Sequence, residues 1–521
     1  MLSFSQPYPS QRAPLCARNV VATSQPLAAA AGLDVLRAGG NAIDAALATA
    51  IALTVVEPNN NGVGSDAFAI LWDGQQLHGL NASGRSPALW TMDRFAGRSR
   101  MPDLGWDTVT VPGAVSAWVA LSERFGRLPF ARLFEAAIEY AENGFPVGPI
   151  TARFWKLAEQ TYADFPDFIQ HFMPAPKASD IARRPDLAQT LRLIATSNGE
   201  AFYRGELADQ IERTAMAAGG AMRRTDLEAH QADWVNPVSQ RYRQVELHEI
   251  PPNGQGLAAL LALGILQHLE PAPVDSVDWV HQQIEAMKIA IRSAFEHFAD
   301  PAYMRLSPEE LLEPGSLQRV AASIGREACA LPPRSLPVSH DTVYLTTADA
   351  EGRMVSFIQS NYQAFGSGIV IPGTGISLQN RGRGFVLDPA HPNCVGPSKR
   401  PFHTIIPGFV TEHGEPRLSF GVMGGHMQHQ GHVQMVTRIF DHHQNPQAAS
   451  DAPRWHVYED FSVGLEPGFK PEVLDALAAR GHKVRFETRP WAFGGAQLIY
   501  RGDGTYIAGS DHRKEGSAVG Y

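Results

Sequence analysis

Cysteine is almost missing from this chain. Three residues in 521, Cys16, Cys329 and Cys394, stand at unrelated spacings, which excludes a disulfide framework and a thiolate metal site. Long basic runs are missing too. The 44 Lys and Arg are scattered among 53 Asp and Glu for a net charge of −9, and that excludes the electrostatic footprint of a nucleic-acid binder. No apolar run is long enough for a membrane span; the longest, 42–56, carries Asp44 and Thr49 and stops at Glu57-Pro58. The first residues show no basic segment followed by an apolar core, so a cytoplasmic protein is expected, or a periplasmic one if the N-terminus has been trimmed. G-x-S-x-G, G-x-x-x-x-G-K-[ST], G-x-G-x-x-G after a strand and H-E-x-x-H are all lacking. What remains is an ordinary globular composition, 44% hydrophobic and 19% charged.

The patterning is α with short β in the first third. Ser24 is placed to cap a helix with Pro26 in its first turn, running through the Ala-rich 27–38 to Gly39-Gly40. A second helix is expected over 41–55, and a hairpin around Asp73-Gly74. Helical spacing recurs over 112–142 and dominates from 179 to 330, most clearly at 277–299. After 341 the texture changes: strands are expected at 342–349, 353–360, 404–411, 417–423, 494–500 and 505–508, with helices at 428–442 and 470–480. Strands and helices on both sides of the 341/342 break predict one layered α/β core shared by the two halves.

That break is the sharpest feature. In "PVSHDTVYLTTADAEGRMVSF" (337–357) a proline-spotted run ends at His340-Asp341 and a strand pattern begins at Thr342. If the Asp341–Thr342 bond were cut, Thr342 would own a free α-amine with a pKa near ~8. That amine can take the proton of its own hydroxyl, so one residue supplies nucleophile and base. The same hydroxyl lies within reach of the preceding carbonyl, and an N→O acyl shift followed by hydrolysis would make the cut. The chemistry alone does not select this Thr from others.

The selection comes from a resemblance. "LRAGGNAIDAALATAIALTVVEP", "GVGSDAFAI", "NASGRSP", "VPGAVSAW", "AMKIAI", "DTVYLTTADAEG", "FGSGIVIPGTGISLQN", "GPSKRPFHTIIP", "GVMGGHMQ" and "AGSDHRKEGSAVGY" occur in one order over nearly the whole chain. The sequence resembles a γ-glutamyltranspeptidase-family proenzyme. That resemblance implies a four-layer αββα sandwich with two antiparallel-rich sheets, made of a large chain 1–341 and a small chain 342–521. It implies an N-terminal-threonine amide hydrolase or acyl transferase acting on γ-glutamyl or related acyl amides, without a cofactor. Thr342 takes the nucleophile's place and Ser360 that of the hydroxyl that orients it. Gly424 and Gly425 match the oxyanion-hole pair, and Arg85 the arginine that grips a substrate carboxylate. The implied partners are a small-molecule amide and the two chains of one precursor, with neither nucleic acid nor membrane; a dimer of the processed heterodimer stays open.

Several positions depart from the family pattern. Its acidic pair before a Phe, which holds a substrate α-ammonium, is Arg383-Gly384 here, with Arg381 nearby; its Ser-Ser after Lys-Arg-Pro is His403-Thr404; an expected Asn is Tyr362. Guanidinium groups repel an ammonium and attract a carboxylate. The alternative substrate is therefore a glutaryl or other dicarboxylyl amide, as in the acylase branch. Two rivals come from other classes. One is a metallohydrolase built on His426, His429 and His432 in "GGHMQHQGH", although the i+6 spacing drifts around a helix by about two-thirds of a turn. The other is an uncut, non-catalytic family member.

Overall fold

The computed structural model describes residue 4, residues 11–329 and residues 342–521; Asp341, the expected cleavage partner, lies outside them. Fourteen strands, numbered here in chain order, build two seven-stranded sheets. They are β1 (Leu15–Ala17), β2 (Val20–Thr23), β3 (Asp66–Trp72), β4 (Leu77–Asn81), β5 (Asp233–Val235), β6 (Val238–Tyr242) and β7 (Val245–Glu249) before the break. After it come β8 (Val343–Ala348), β9 (Met354–Ser360), β10 (Gly408–Glu412), β11 (Glu415–Met423), β12 (Gly495–Arg501), β13 (Tyr506–Ser510) and β14 (Ser517–Gly520). One sheet runs β1-β13-β12-β11-β10-β7-β6 and the other β14-β2-β8-β9-β3-β4-β5. Every pairing within them is antiparallel.

Strand alternation decides what each face buries. In β8, Val343 and Leu345 turn to the helices Pro26–Arg37 and Ala42–Val56, while Tyr344 turns to the other sheet and joins Phe68, Ile358, Ile405 and Phe409. The helices Gly256–Leu266, Val277–His297 and Gln428–Phe440 cover the outer face of that other sheet, which contains β10, β11 and β12. The result is helix, sheet, sheet, helix, the αββα order that the resemblance implies. Contact between the sheets is close: a Cβ on Gly421 of β11 would lie 2.4 Å from Tyr344 Cε2, so only glycine lets that ring lie flat against the facing strand.

Each sheet draws strands from both sides of 330–341. A cut in that interval leaves two chains that share fourteen strands, and all three cysteines are free thiols. One local expectation fails. Gln25, not Ser24, caps the first helix, its side chain accepting from Leu27 and Ala28 N–H; Ser24 Oγ is drawn instead to the buried Glu57 carboxylate, 2.5 Å away.

Candidate active site

The site grows out of the register of three adjacent strands. Val343 pairs with Gln359, so Thr342 falls opposite Ser360, and Ser360 in turn pairs with Asp66 across β9–β3. By alternation all three side chains turn to the inter-sheet face at one end of the sandwich. Thr342 is 1% exposed. Its Oγ1 donates to Ser360 Oγ at 3.1 Å, and Ser360 Oγ also accepts from Tyr362 N–H at 2.8 Å. Gln428 Nε2 points at Thr342 Oγ1 from 3.5 Å, while Gln428 Oε1 accepts from Ile406 N–H at 3.0 Å. The backbone donor fixes which end of that amide faces the threonine. A hydroxyl held this way has the fixed orientation that nucleophilic attack requires.

Across from it, β11 ends at Met423 and the chain turns sharply. Gly424 and Gly425 have φ of 125° and 57°, which favours glycine at both. At Gly424 there is also no room: a Cβ would lie 2.9 Å from Gly494 Cα. The turn leads into the N-terminal end of helix Gln428–Phe440, where amide groups and the helix dipole favour developing negative charge. Gln255 Nε2 donates to Gly425 O at 2.9 Å and to Thr404 O, tying this turn to the 401–406 segment.

Arg381 is fully buried. Its guanidinium lies 4.2 Å from the Tyr362 ring centroid, and Nη1 donates to Thr404 Oγ1 at 2.8 Å. Nε and Nη2 have no partner among the described residues. Burial lowers the Arg381 pKa to about 10, with Asp66 opposing. Asp66 is the counter-charge: burial pushes its carboxyl up to about 7, against the pull of Arg381. It accepts from Gly84 and Gly113 N–H and from His403 Nε2 at 3.1 Å. His403 is held well below the usual histidine range by burial and by Arg381 and Arg400, so it is neutral. Arg383 differs from the expectation of a free positive pair, because its Nε sits 2.6 Å from Asp103 Oδ1. Tyr362 is strained at φ 79°, a conformation that bulky residues adopt at sites that need it.

Arg85 stands apart. Its side chain is 46% exposed and pairs with Asp300 at 2.9 Å, with a second bond to Ser398 O. Neither bond joins it to Thr342, Ser360, Tyr362 or Arg381. Arg85→Ala is accordingly expected to change kcat/KM for a carboxylate-bearing donor by no more than about twofold, as its guanidinium is already held by Asp300 and Ser398 O; steady-state kinetics checks this, and a loss of about tenfold would return Arg85 to the site.

The three histidines of "GGHMQHQGH" diverge. His426 stacks on Phe402, His429 Nδ1 meets Gln255 Oε1 at 3.0 Å, and His432 Nδ1 meets Glu249 Oε1 at 2.5 Å. Among the described residues one other group, His281, Glu285 and His482, has ligand atoms close enough for a metal. Lys288 Nζ already bonds Glu285 Oε1 and His482 Nδ1 there. His482 Nε2 meets His281 Nδ1, and His281 Nε2 meets Gly325 O. An ammonium in the middle and a closed hydrogen-bond chain do not suit a cation. Asp66, Gln255 and Gln428 went unsingled in the sequence; the signal for Gln428 was its place three residues after Gly425, while Asp66 and Gln255 carried none.

Known proteins resemble this chain over nearly its whole length. The γ-glutamyltranspeptidase family model matches residues 28–521. The chain is 36% identical to the glutathione hydrolase-like YwrD proenzyme of Bacillus subtilis over 96% of this chain and 98% of that one. It is 36% identical to an oxamate amidohydrolase proenzyme of Klebsiella pneumoniae over 95% and 97%. A cephalosporin acylase crystal structure from Bacillus halodurans superposes with a TM-score of 0.96 at 47% identity, covering 100% of this chain and 99% of that one. With a match that spans β8, the Gly-Gly turn and both sheets, the chain belongs to the γ-glutamyltranspeptidase family, as a self-processing amide hydrolase of the N-terminal-nucleophile type.

Proposed function

We propose that this protein hydrolyses amides whose acyl group ends in a carboxylate and carries no α-ammonium, a short dicarboxylyl amide such as a glutaryl amide. The observation that carries this is Arg381, a buried guanidinium with two donor nitrogens unpartnered, stacked on the tyrosine whose N–H bonds Ser360. Leaving such donors buried and unmatched is costly, and a carboxylate fits a guanidinium fork in two bonds. The oxamate amidohydrolase among the similar proteins supports an acyl side of this kind.

In this reading the precursor is cut between Asp341 and Thr342. Thr342 Oγ then attacks the amide carbonyl while its α-amine takes the hydroxyl proton and passes it to the leaving amine. Ser360 orients Oγ, and N–H groups of the Gly424–Gly425 turn stabilise the oxyanion. Water releases the acyl group by the reverse sequence. A γ-glutamyl donor is the second reading, favoured by the Asp66 carboxyl beside Arg381 and by the glutathione hydrolase-like relative. A glutaryl and a γ-glutamyl anilide, measured under identical conditions, separate the two. One like-charge contact at ~4 Å costs on the order of 1–4 kcal/mol, so the glutaryl donor should lead in kcat/KM by about tenfold, a gap that salt changes little because Arg381 is buried. A clear γ-glutamyl preference would restore the second reading.

A further inference from the structure

Two buried side chains behind the Gly424–Gly425 turn have no part in the reaction as derived above. Gln255, which precedes helix Gly256–Leu266, and His429, in the first turn of helix Gln428–Phe440, are 0% and 2% exposed. The Gln255 backbone is anchored, its N–H donating to His403 O at 2.9 Å. Its side-chain NH2 is spent on two carbonyls, Thr404 O and Gly425 O. Two carbonyl acceptors fix which end of the amide is nitrogen, so Oε1 is left to accept. It faces His429 Nδ1 at 3.0 Å, and His429 therefore donates from Nδ1. Burial, with His426, His456 and His432 nearby, holds His429 well below the usual histidine range. It is neutral, with the proton on Nδ1.

What these two side chains hold is a turn with little stiffness of its own. Neither glycine has a Cβ, so the peptides on either side of them rotate with few steric limits. Inside the turn, Gly424 O accepts from Met427 N–H at 3.0 Å, and Gly425 O accepts from Gln428 N–H. Gln255 adds a bond to Gly425 O from outside it. A peptide is planar, with its N–H and C=O pointing opposite ways, so holding the carbonyl aims the amide on its far side. Clamping Gly425 O therefore fixes where the turn presents its N–H groups, and an oxyanion donor is effective when it is aimed in advance. The second acceptor, Thr404 O, belongs to the residue whose Oγ1 accepts from Arg381 Nη1. One side-chain amide thus joins the turn to the segment that meets Arg381.

We infer that Gln255 and His429 are a positioning pair for the Gly424–Gly425 turn, Gln255 holding the turn and His429 holding Gln255. This rests on the oxyanion role of the turn proposed above. The test measures kcat and KM for glutaryl anilide and γ-glutamyl anilide in wild type, His429→Leu, His429→Asn and Gln255→Met. Leucine removes the Nδ1 donor, asparagine returns an N–H close to its place, and methionine keeps the length of Gln255 without its polar atoms. An interaction made in the transition state alone lowers kcat and kcat/KM together. His429→Leu should therefore lower kcat about tenfold for both donors, the scale of one buried hydrogen bond, with KM within about twofold. His429→Asn should recover most of that loss. Gln255→Met should lower kcat about a hundredfold, as when an oxyanion donor is lost. Processing to two chains checks that each variant folds. Should His429→Leu and Gln255→Met stay uncut, a processed and active His429→Asn supports the pair and an inert one overturns it. A rise in KM at level kcat, a loss that asparagine does not recover, or an unchanged kcat while Thr342 is still required would overturn the pair alone. The acyl side is read separately: a γ-glutamyl preference with the same His429→Leu loss would remove the dicarboxylyl reading and leave the pair standing.

Discussion

Thr342→Ala is expected to run as one full-length chain on denaturing electrophoresis and to hydrolyse no amide, whereas the native protein runs as two chains. The single hydroxyl is asked to do two jobs. Before processing, Oγ1 is the atom that attacks the preceding carbonyl; afterwards it attacks the substrate, with the newly freed α-amine as base. Alanine keeps the backbone of β8 and removes only Oγ1 and a methyl, and the Ser360 hydroxyl stays bonded to Tyr362 N–H. The fold therefore survives and the loss is chemical. Losing a nucleophile costs on the order of 10⁴-fold or more in kcat, and here the uncut chain lacks the base as well. Thr342→Ser keeps the oxygen and should still process. Intact-mass measurement of both proteins decides the matter: a Thr342→Ala sample cut at the same bond would remove Thr342 from the centre of the mechanism.

The second large effect belongs to Arg381. Arg381→Gln should lower kcat/KM for a glutaryl anilide by roughly 30-fold to several thousandfold, because truncating one side of a buried charge pair costs about 2–5 kcal/mol. The same change should alter a butyryl anilide far less. Arg381→Lys should recover little, since an ammonium cannot reproduce the planar fork that also reaches Thr404 Oγ1. The same guanidinium sets a pH dependence. The Asp66 carboxyl is raised to about 7 by burial, so below pH 7 it is neutral and leaves Arg381 to the donor's carboxylate. As pH rises through 7 it becomes negative, shares Arg381 and repels the donor. KM for glutaryl anilide should therefore rise above pH 7, by roughly three- to tenfold on the scale of a screened charge contact, while KM for butyryl anilide stays level. Asp66→Asn keeps an oxygen for the Gly84 and Gly113 amides and should flatten the step. A KM profile with the same slope for both anilides would detach Asp66 from the carboxylate site.

Much of this molecule was legible before any coordinates. The break at 341/342, the strand runs on either side of "AEG" and the helix over 428–442 follow from periodicity and turn residues, which act within a few positions along the chain; the observed β8, β9 and Gln428–Phe440 fall inside those ranges. Thr342 and Ser360 are 18 residues apart on one hairpin, so the strand period alone sets them facing. The substrate side was not readable in the same way. "RGR" presents two cations, but only folding brings Asp103 to Arg383 and leaves Arg381 with unsatisfied donors. Arg85, in a motif that carries a family role, was drawn to Asp300, 215 residues away. Asp66 and Gln255 are ordinary letters in their own stretches; the raised Asp66 carboxyl and the partners of both exist because distant segments pack together and exclude water from the groups between them. Local pattern determined the elements and the facing of Thr342 and Ser360, while the resemblance singled out Thr342 among the threonines. Long-range packing decided which charges are neutralised and which are left for a ligand, because burial and pairing depend on neighbours that sequence order does not specify.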